Sequence, residues 1–248
     1  MSCVFALALP TFSMTVADTR LNLRFRDGQE GFNDEGDKPI EYPDGRVLSV
    51  RTNYRKLRLV KDGWAAAAGA FPLVHAALEH LDTSVFDPDS LTPTLDALYE
   101  QEAPRIRSDF PEMTKLEETA VVLTYYKDGS FRLACHRFDH TPAVSDGDEF
   151  LLIDPPGFDA TIRHRIVGAI QAGLVIGTSR SALCSNLRLL AGAFHIVHSN
   201  SSSVSDTVEV GLLLNDGRIQ KKYLYARNEF VMNATDKDLI TRLVALGG

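Results

Sequence analysis

Short apolar segments closed by tight turns recur at the beginning, middle and end of this chain, and nothing constrains its fold more. Lys61-Asp62-Gly63, Lys127-Asp128-Gly129 and Asn215-Asp216-Gly217 each stand between strand-like runs, and Asp-Gly readily takes the positive φ angles of a two-residue hairpin. The run Val4 to Leu9 is separated from Ser13 to Ala17 by Pro10-Thr11 alone, which reads as two strands joined by a turn. Val47 to Val50, Lys56 to Val60 and Trp64 to Ala68 continue the strand pattern, as do Thr119 to Tyr125, Phe131 to Cys135 and Phe150 to Ile153. Neighbours joined this tightly pair antiparallel, because a parallel partner needs a long crossover.

Helical periodicity fills the intervals. Phe71 to Leu81 places Leu73, Val74, Ala77, Leu78 and Leu81 on one face. Ser90 is positioned to cap a second helix toward Tyr99, with Pro104 ending or kinking it. Two longer stretches, roughly 160–176 and 180–197, precede the last pair of strands, 207–214 and 219–225. Between Asp27 and Gly45 the chain turns to Gly, Asp, Glu, Asn and Pro, a composition for a surface loop. The order strands, helices, strands, helices, strands is satisfied by two antiparallel sheets stacked face to face with helices outside each. The expected class is therefore α+β, a four-layer αββα sandwich, with residues 1–248 forming one domain that carries a polar loop insertion at about 21–53.

The totals exclude several functions. A net charge of -7 over 248 residues, with no basic stripe, argues against nucleic acid as a partner. Cys3, Cys135 and Cys184 are too far apart for a disulfide framework or a zinc pattern, so a cytoplasmic location is expected. No apolar run approaches the ~20 residues of a membrane span. His136 and His140 lie in a strand-and-turn region without the His-Glu-x-x-His pattern, so no metal site is read there.

Chemistry is suggested at the N-terminus. Ser2 follows Met1, so removal of Met1 leaves a hydroxyl and a free α-amine on one residue, nucleophile and general base together. An α-amine titrates near ~8, a useful value for a base at neutral pH. Sixteen positions on stands Asp18-Thr19-Arg20, followed later by Asn53-Tyr54-Arg55-Lys56-Leu57 and by Ala67-Ala68-Gly69 ahead of the first helix. Asp18 and Lys56 alone also suit a structural salt bridge at a strand end; in order with Ser2 they favour catalysis. Cys3 is discounted as nucleophile, because successive strand side chains face opposite ways.

These motifs, in this order, resemble the proteasome β-type subunit family of the N-terminal nucleophile hydrolase superfamily, especially the bacterial ancestral β-subunit and heat-shock peptidase forms. The resemblance covers most of the chain and implies the N-terminal nucleophile hydrolase fold. It implies a peptidase-like hydrolase of amide bonds in which Ser2 forms an acyl-enzyme, Asp18 and Lys56 tune it, and Gly69 lends a backbone N–H to the oxyanion hole. In the family a Gly-Ser-Gly serine supports the amine, but this chain has Val167 to Gly173 there, so that hydroxyl is missing or comes from elsewhere. The family's second supporting site, an Asp-x-x-Ser-Gly pattern before the late strand, is matched here only by the run Ser199 to Asp206, with Ser203 or Ser205 as its candidate. No cofactor is implied. The implied partners are a peptide or small amide substrate and further copies of the chain in a homo-oligomer, ring-shaped in relatives. The alternative is a non-catalytic assembly subunit.

Overall fold

The computed structural model describes residues 3–24, 38–41, 47–51, 54–61, 63–83, 87–111, 113, 115–140, 144–146, 150–155, 157–177, 179–201 and 203–246. The chain runs β1 (Val4–Leu9), β2 (Phe12–Asp18), β3 (Leu21–Arg24), β4 (Lys38–Glu41), β5 (Val47–Arg51), β6 (Leu57–Val60) and β7 (Gly63–Ala68), then α1 (Phe71–Thr83) and α2 (Leu91–Asp109). It continues through β8 (Ala120–Lys127), β9 (Ser130–Arg137), β10 (Val144–Asp146), β11 (Phe150–Ile153), α3 (Ala160–Gly173) and α4 (Arg180–Asn200). It closes with β12 (Thr207–Asn215), β13 (Ile219–Arg227), α5 (Asn228–Asn233), α6 (Asp236–Arg242) and β14 (Val244–Leu246).

Two antiparallel sheets carry the architecture. One has the order β10-β11-β1-β2-β12-β13-β14 and the other β6-β7-β8-β9. Strand alternation explains how they stack. Phe5, Leu7 and Leu9 of β1 pack with α3 and α4 residues such as Ile166, Ile170, Leu187 and Phe194. The alternate Val4, Ala6 and Ala8 face Leu57, Ala66, Ala68, Ala120 and Val122 of the second sheet. Ala65 and Ala67 of β7 point the other way, toward Leu73, Leu78 and Leu95 of α1 and α2. Three apolar layers thus separate helices, sheet, sheet and helices, an α+β arrangement. Small side chains dominate the layer between the sheets, where both backbones approach.

The large exception there is Trp64. It is buried, stacks on Tyr223 at 6.0 Å and donates its indole N–H to the Leu212 carbonyl at 3.1 Å. Gly211 makes room for the ring: a Cβ at that position would come within 2.4 Å of Trp64 Cδ2. A buried Thr15–Thr124 hydroxyl pair at 2.7 Å also joins the sheets.

Local chemistry sets the boundaries. Lys127 pairs with Ser130 across Asp128 and Gly129, whose φ values of 51° and 82° are the doubly positive turn expected of Asp-Gly. Asp159 caps α3 by accepting from Thr161 N and Ile162 N, and Ser179 caps α4 through Ala182 N.

Several expectations need correction. The region read as a polar loop at 21–53 contains a third antiparallel sheet of order β3-β5-β4, with β4 inside the stretch assigned to surface loop. Helix α2 runs through Pro104 to Asp109, because the residues beyond the proline still bury Ile106. Ser90 precedes α2 without a side-chain cap; its hydroxyl donates instead to the Asp87 carbonyl at 2.7 Å. Strand β14 and helices α5 and α6 follow the last strands that were read.

Candidate active site

One end of both sheets gathers most of the residues singled out. In register, Val4 pairs with Ala17 and Asp18 with Val208, so the start of β1, the end of β2 and the start of β12 lie side by side. In the other sheet Leu57 pairs with Ala66, which puts Lys56, just before β6, beside the end of β7 that leads to Gly69. The sheet-to-sheet stack brings these two sets together.

Asp18 and Lys56 form the centre. Asp18 Oδ1 lies 2.9 Å from Lys56 Nζ, and the two residues are 0 % and 1 % exposed. The same oxygen accepts the Cys3 backbone N–H at 2.9 Å, and Oδ2 accepts Arg20 N–H at 3.0 Å. A short backbone link, Asp18 N–H to the Cys3 carbonyl at 3.2 Å, ties the same two residues. The carboxylate therefore has a donor on each oxygen and three in all, the kind of compensation a buried charge needs. Burial holds the Lys56 ammonium below the ordinary lysine value, while Asp18 above all, with Glu209, pushes it back up. The Cys3 thiol is pushed well above its ordinary value, first by burial and then by Asp18. It stays a protonated core group, which removes it as a nucleophile. Ser2 itself lies outside the described residues.

Gly69 directly follows β7 and has a φ of 132°, a backbone angle that side chains rarely adopt. A Cβ there would meet Thr119 Cα at 2.5 Å and Thr119 Oγ1 at 2.6 Å. Thr119 Oγ1 also accepts the N–H of Ala70 at 3.1 Å, fixing the turn into α1. Gly69→Ala is expected to cost about 1–3 kcal/mol from strain and crowding together. Thermal unfolding checks this, and a melting temperature within a degree of the parent would contradict it.

The serines separate. Ser205, 1 % exposed, accepts Thr19 N–H at 3.0 Å, lies 3.1 Å from the Thr19 hydroxyl and donates to the Thr207 carbonyl at 2.6 Å. It thereby braces the residue that follows Asp18. The Ser203 hydroxyl is paired with that of Ser201 at 2.7 Å. Residues 167–173 lie within α3.

One participant escaped the sequence reading. Glu209, 0 % exposed on β12, accepts Lys56 N–H at 2.6 Å and Leu57 N–H at 3.2 Å on Oε2, and the Tyr223 hydroxyl at 2.6 Å on Oε1. Its sequence signal is faint: it shares a strand face with Gly211 and Leu213, so an acid there must face the second sheet.

Among the described residues no group of three or more His, Cys, Asp or Glu side chains could hold a metal ion, and no helix is long and apolar enough to cross a membrane. His136 and His140 stand with ring centroids 5.9 Å apart, and His136 Nε2 is 3.2 Å from Asp96 Oδ1.

No protein-family model matches the chain, and no curated protein matches it. The sequence-based assignment to the proteasome β-type subunit family is corrected accordingly: the solved structures similar to this chain are Anbu proteins, at low identity. Solved structures give a likeness of another kind. Anbu from Hyphomicrobium sp. strain MC1 superposes with a TM-score of 0.55 at 13% identity, covering 96% of this chain and 95% of that one. Anbu, the ancestral beta-subunit, from Yersinia bercovieri gives 0.58 at 12% identity over 96% and 95%. A chain from the helical assembly of the Anbu complex of Pseudomonas aeruginosa gives 0.64 at 12% identity, over 99% of this chain and 98% of that one. At such identities the likeness is one of fold, and over nearly its whole length this chain has the fold of the Anbu structures.

Proposed function

We propose that this protein is an amide-bond hydrolase of the N-terminal nucleophile type, with Ser2, exposed when Met1 is removed, as its nucleophile. The observation that carries the reading is the buried Asp18–Lys56 pair hydrogen-bonded to the backbone N–H of Cys3, the residue to which Ser2 is joined. A salt bridge serving only to fasten two strands gains little from full burial, because stripping water from both ions offsets their attraction. A buried ammonium held beside a nucleophile has a chemical use: it stabilises the developing alkoxide and lowers the proton affinity of a neighbouring amine.

The Ser2 hydroxyl attacks the carbonyl carbon of a substrate amide while the Ser2 α-amine takes its proton. The C–N bond then breaks, the proton passes to the departing amine, and an ester remains on Ser2. Water attacks that ester with the same amine as base, releasing the acid and restoring the hydroxyl. Asp18 holds Lys56 in place and balances its charge. The Gly69 N–H is the proposed oxyanion donor, a contribution of roughly 3 kcal/mol when well aimed. Ser205 braces the Thr19 backbone next to the pair. The chemistry needs neither metal nor cofactor, and a peptide or small amide is the substrate class.

Stopped-flow kinetics with a short peptide carrying a chromogenic amide or ester tests the reading. A burst of leaving group equal to the protein concentration is expected. Release that is linear from the first turnover, or no release, would count against an acyl-enzyme. A second reading, a non-catalytic subunit that serves assembly, is favoured by the Pseudomonas aeruginosa likeness, since that chain comes from a helical assembly. The two share the expectation of self-association and part at the burst.

A further inference from the structure

Asp18 and Glu209 are the fully buried carboxylates among the described residues, and both bear on Lys56. They do so differently. Asp18 meets the ammonium directly, whereas Glu209 reaches across from the other sheet to the backbone N–H groups of Lys56 and Leu57, the start of β6. The Tyr223 hydroxyl fixes the second oxygen of Glu209. A neutral side chain would satisfy two amides without the desolvation cost of a charge. A carboxylate kept there adds something a strand clamp does not need, namely negative charge close to Lys56.

We propose that Glu209, held by Tyr223, is a positioning residue for Lys56: it fixes the backbone from which the lysine departs and supplies a second buried negative charge near its ammonium. The proposal rests on the reading of Lys56 as the group that tunes Ser2. Asp18 from β2 and Glu209 from β12 act on Lys56 by their charge, beside the protonated Cys3 thiol ahead of β1, and Tyr223 from β13 and the Arg55 guanidinium act on Glu209. Burial, the largest influence, holds Glu209 above the ordinary glutamate value, and its three hydrogen bonds and the Arg55 charge offset only part of that. Tyr223 is driven above the ordinary phenol range, first by burial and then by Glu209, so it remains a donor.

Two readouts test this. In protein labelled with ¹³Cε-lysine, with the Lys56 resonance assigned by its loss in Lys56→Met, the ammonium is expected to titrate at lower pH in Glu209→Gln than in the parent. Removing a neighbouring negative charge disfavours the charged lysine. Acylation of Ser2 by a β-lactone at neutral pH is expected to slow roughly tenfold, with its alkaline limb displaced to lower pH in the same sense. An unchanged Lys56 titration overturns the proposal even if acylation slows, because a purely structural residue would do that much.

Should Glu209→Gln fail to fold, Tyr223→Phe keeps the carboxylate and both amide donors. Loss of the hydroxyl raises the pH at which Glu209 protonates, and the Lys56 resonance is expected to show a second inflection there. Its absence overturns the proposal. If the parent is not acylated at all, the nucleophile reading fails while the lysine titration still decides the role of Glu209.

Discussion

Asp18→Ala is expected to destabilise the fold by about 3–5 kcal/mol, the cost of leaving one partner of a buried ion pair uncompensated. The substitution removes the only carboxylate at hydrogen-bond distance from Lys56 Nζ among the described residues and orphans the Cys3 and Arg20 amides as well. For a chain this long the loss corresponds to a fall in melting temperature of the order of ten degrees. Its pH dependence follows from Lys56. Burial already lowers that lysine below its ordinary value of 10.5, and without Asp18 the opposing push is gone, so the folded state releases the proton more readily still. The unfolded chain then binds more protons than the folded one, and stability rises with pH up to the ordinary lysine value. The deficit of the variant should therefore shrink as pH rises. Asp18→Ala combined with Lys56→Met removes the stranded charge and should recover most of the loss. A single variant as stable as the parent, or a double variant no better than the single one, would contradict a buried and mutually dependent pair.

Ser2→Ala should abolish turnover, by roughly a thousandfold or more, as expected when the attacking group of a covalent mechanism is deleted. Ser2→Thr retains both hydroxyl and amine and should keep measurable acylation. The comparison separates chemistry from folding, because neither change adds or removes a charged side chain, and both variants should melt with the parent. Full activity in Ser2→Ala would place the nucleophile elsewhere in the chain. Loss in both variants with unchanged stability would mean that more than a hydroxyl on an N-terminal residue is required.

What the sequence made legible depended on how local the cause was. The hairpin at 128–129 was readable because the two positive φ angles it needs are confined to a few residue types, and Asp-Gly supplies them; the one after Asn215 closes through a three-residue loop, 216–218, in which Gly217 takes the positive φ. The stacked sheets followed from unbroken apolar strands such as Val4–Leu9, in which both faces must be covered. In the sheet formed by β3, β5 and β4, the apolar run of β5 reads as a strand, whereas β4 falls in the polar stretch, since Lys38–Glu41 carries Pro39 and little apolar character and gains its strand geometry from pairing with β5. Helix α6 did carry a signal: Thr235 and Asp238 form a reciprocal cap.

The site divides the same way. Asp18 and Lys56 could be paired because a spaced motif resembled a known order of residues, although the structure alone shows the salt bridge. Glu209 has no such spacing. Its partners, Lys56 and Leu57, are distant in sequence and lie in the other sheet, so nothing short of the stacking of two sheets reveals why an acid stands amid Val208, Val210 and Gly211. Ser203 and Ser205 were indistinguishable as sequence; the hydrogen bond from Thr19 N–H to the Ser205 hydroxyl distinguishes them.

The most direct test of the central claim is the intact mass of the purified protein before and after exposure to a β-lactone that acylates N-terminal hydroxyl nucleophiles. The account predicts a chain lacking Met1 that gains a single adduct, mapped by peptide sequencing to Ser2 and absent from Ser2→Ala. A chain that retains Met1 and takes up no adduct, or takes it up at another residue, would contradict it.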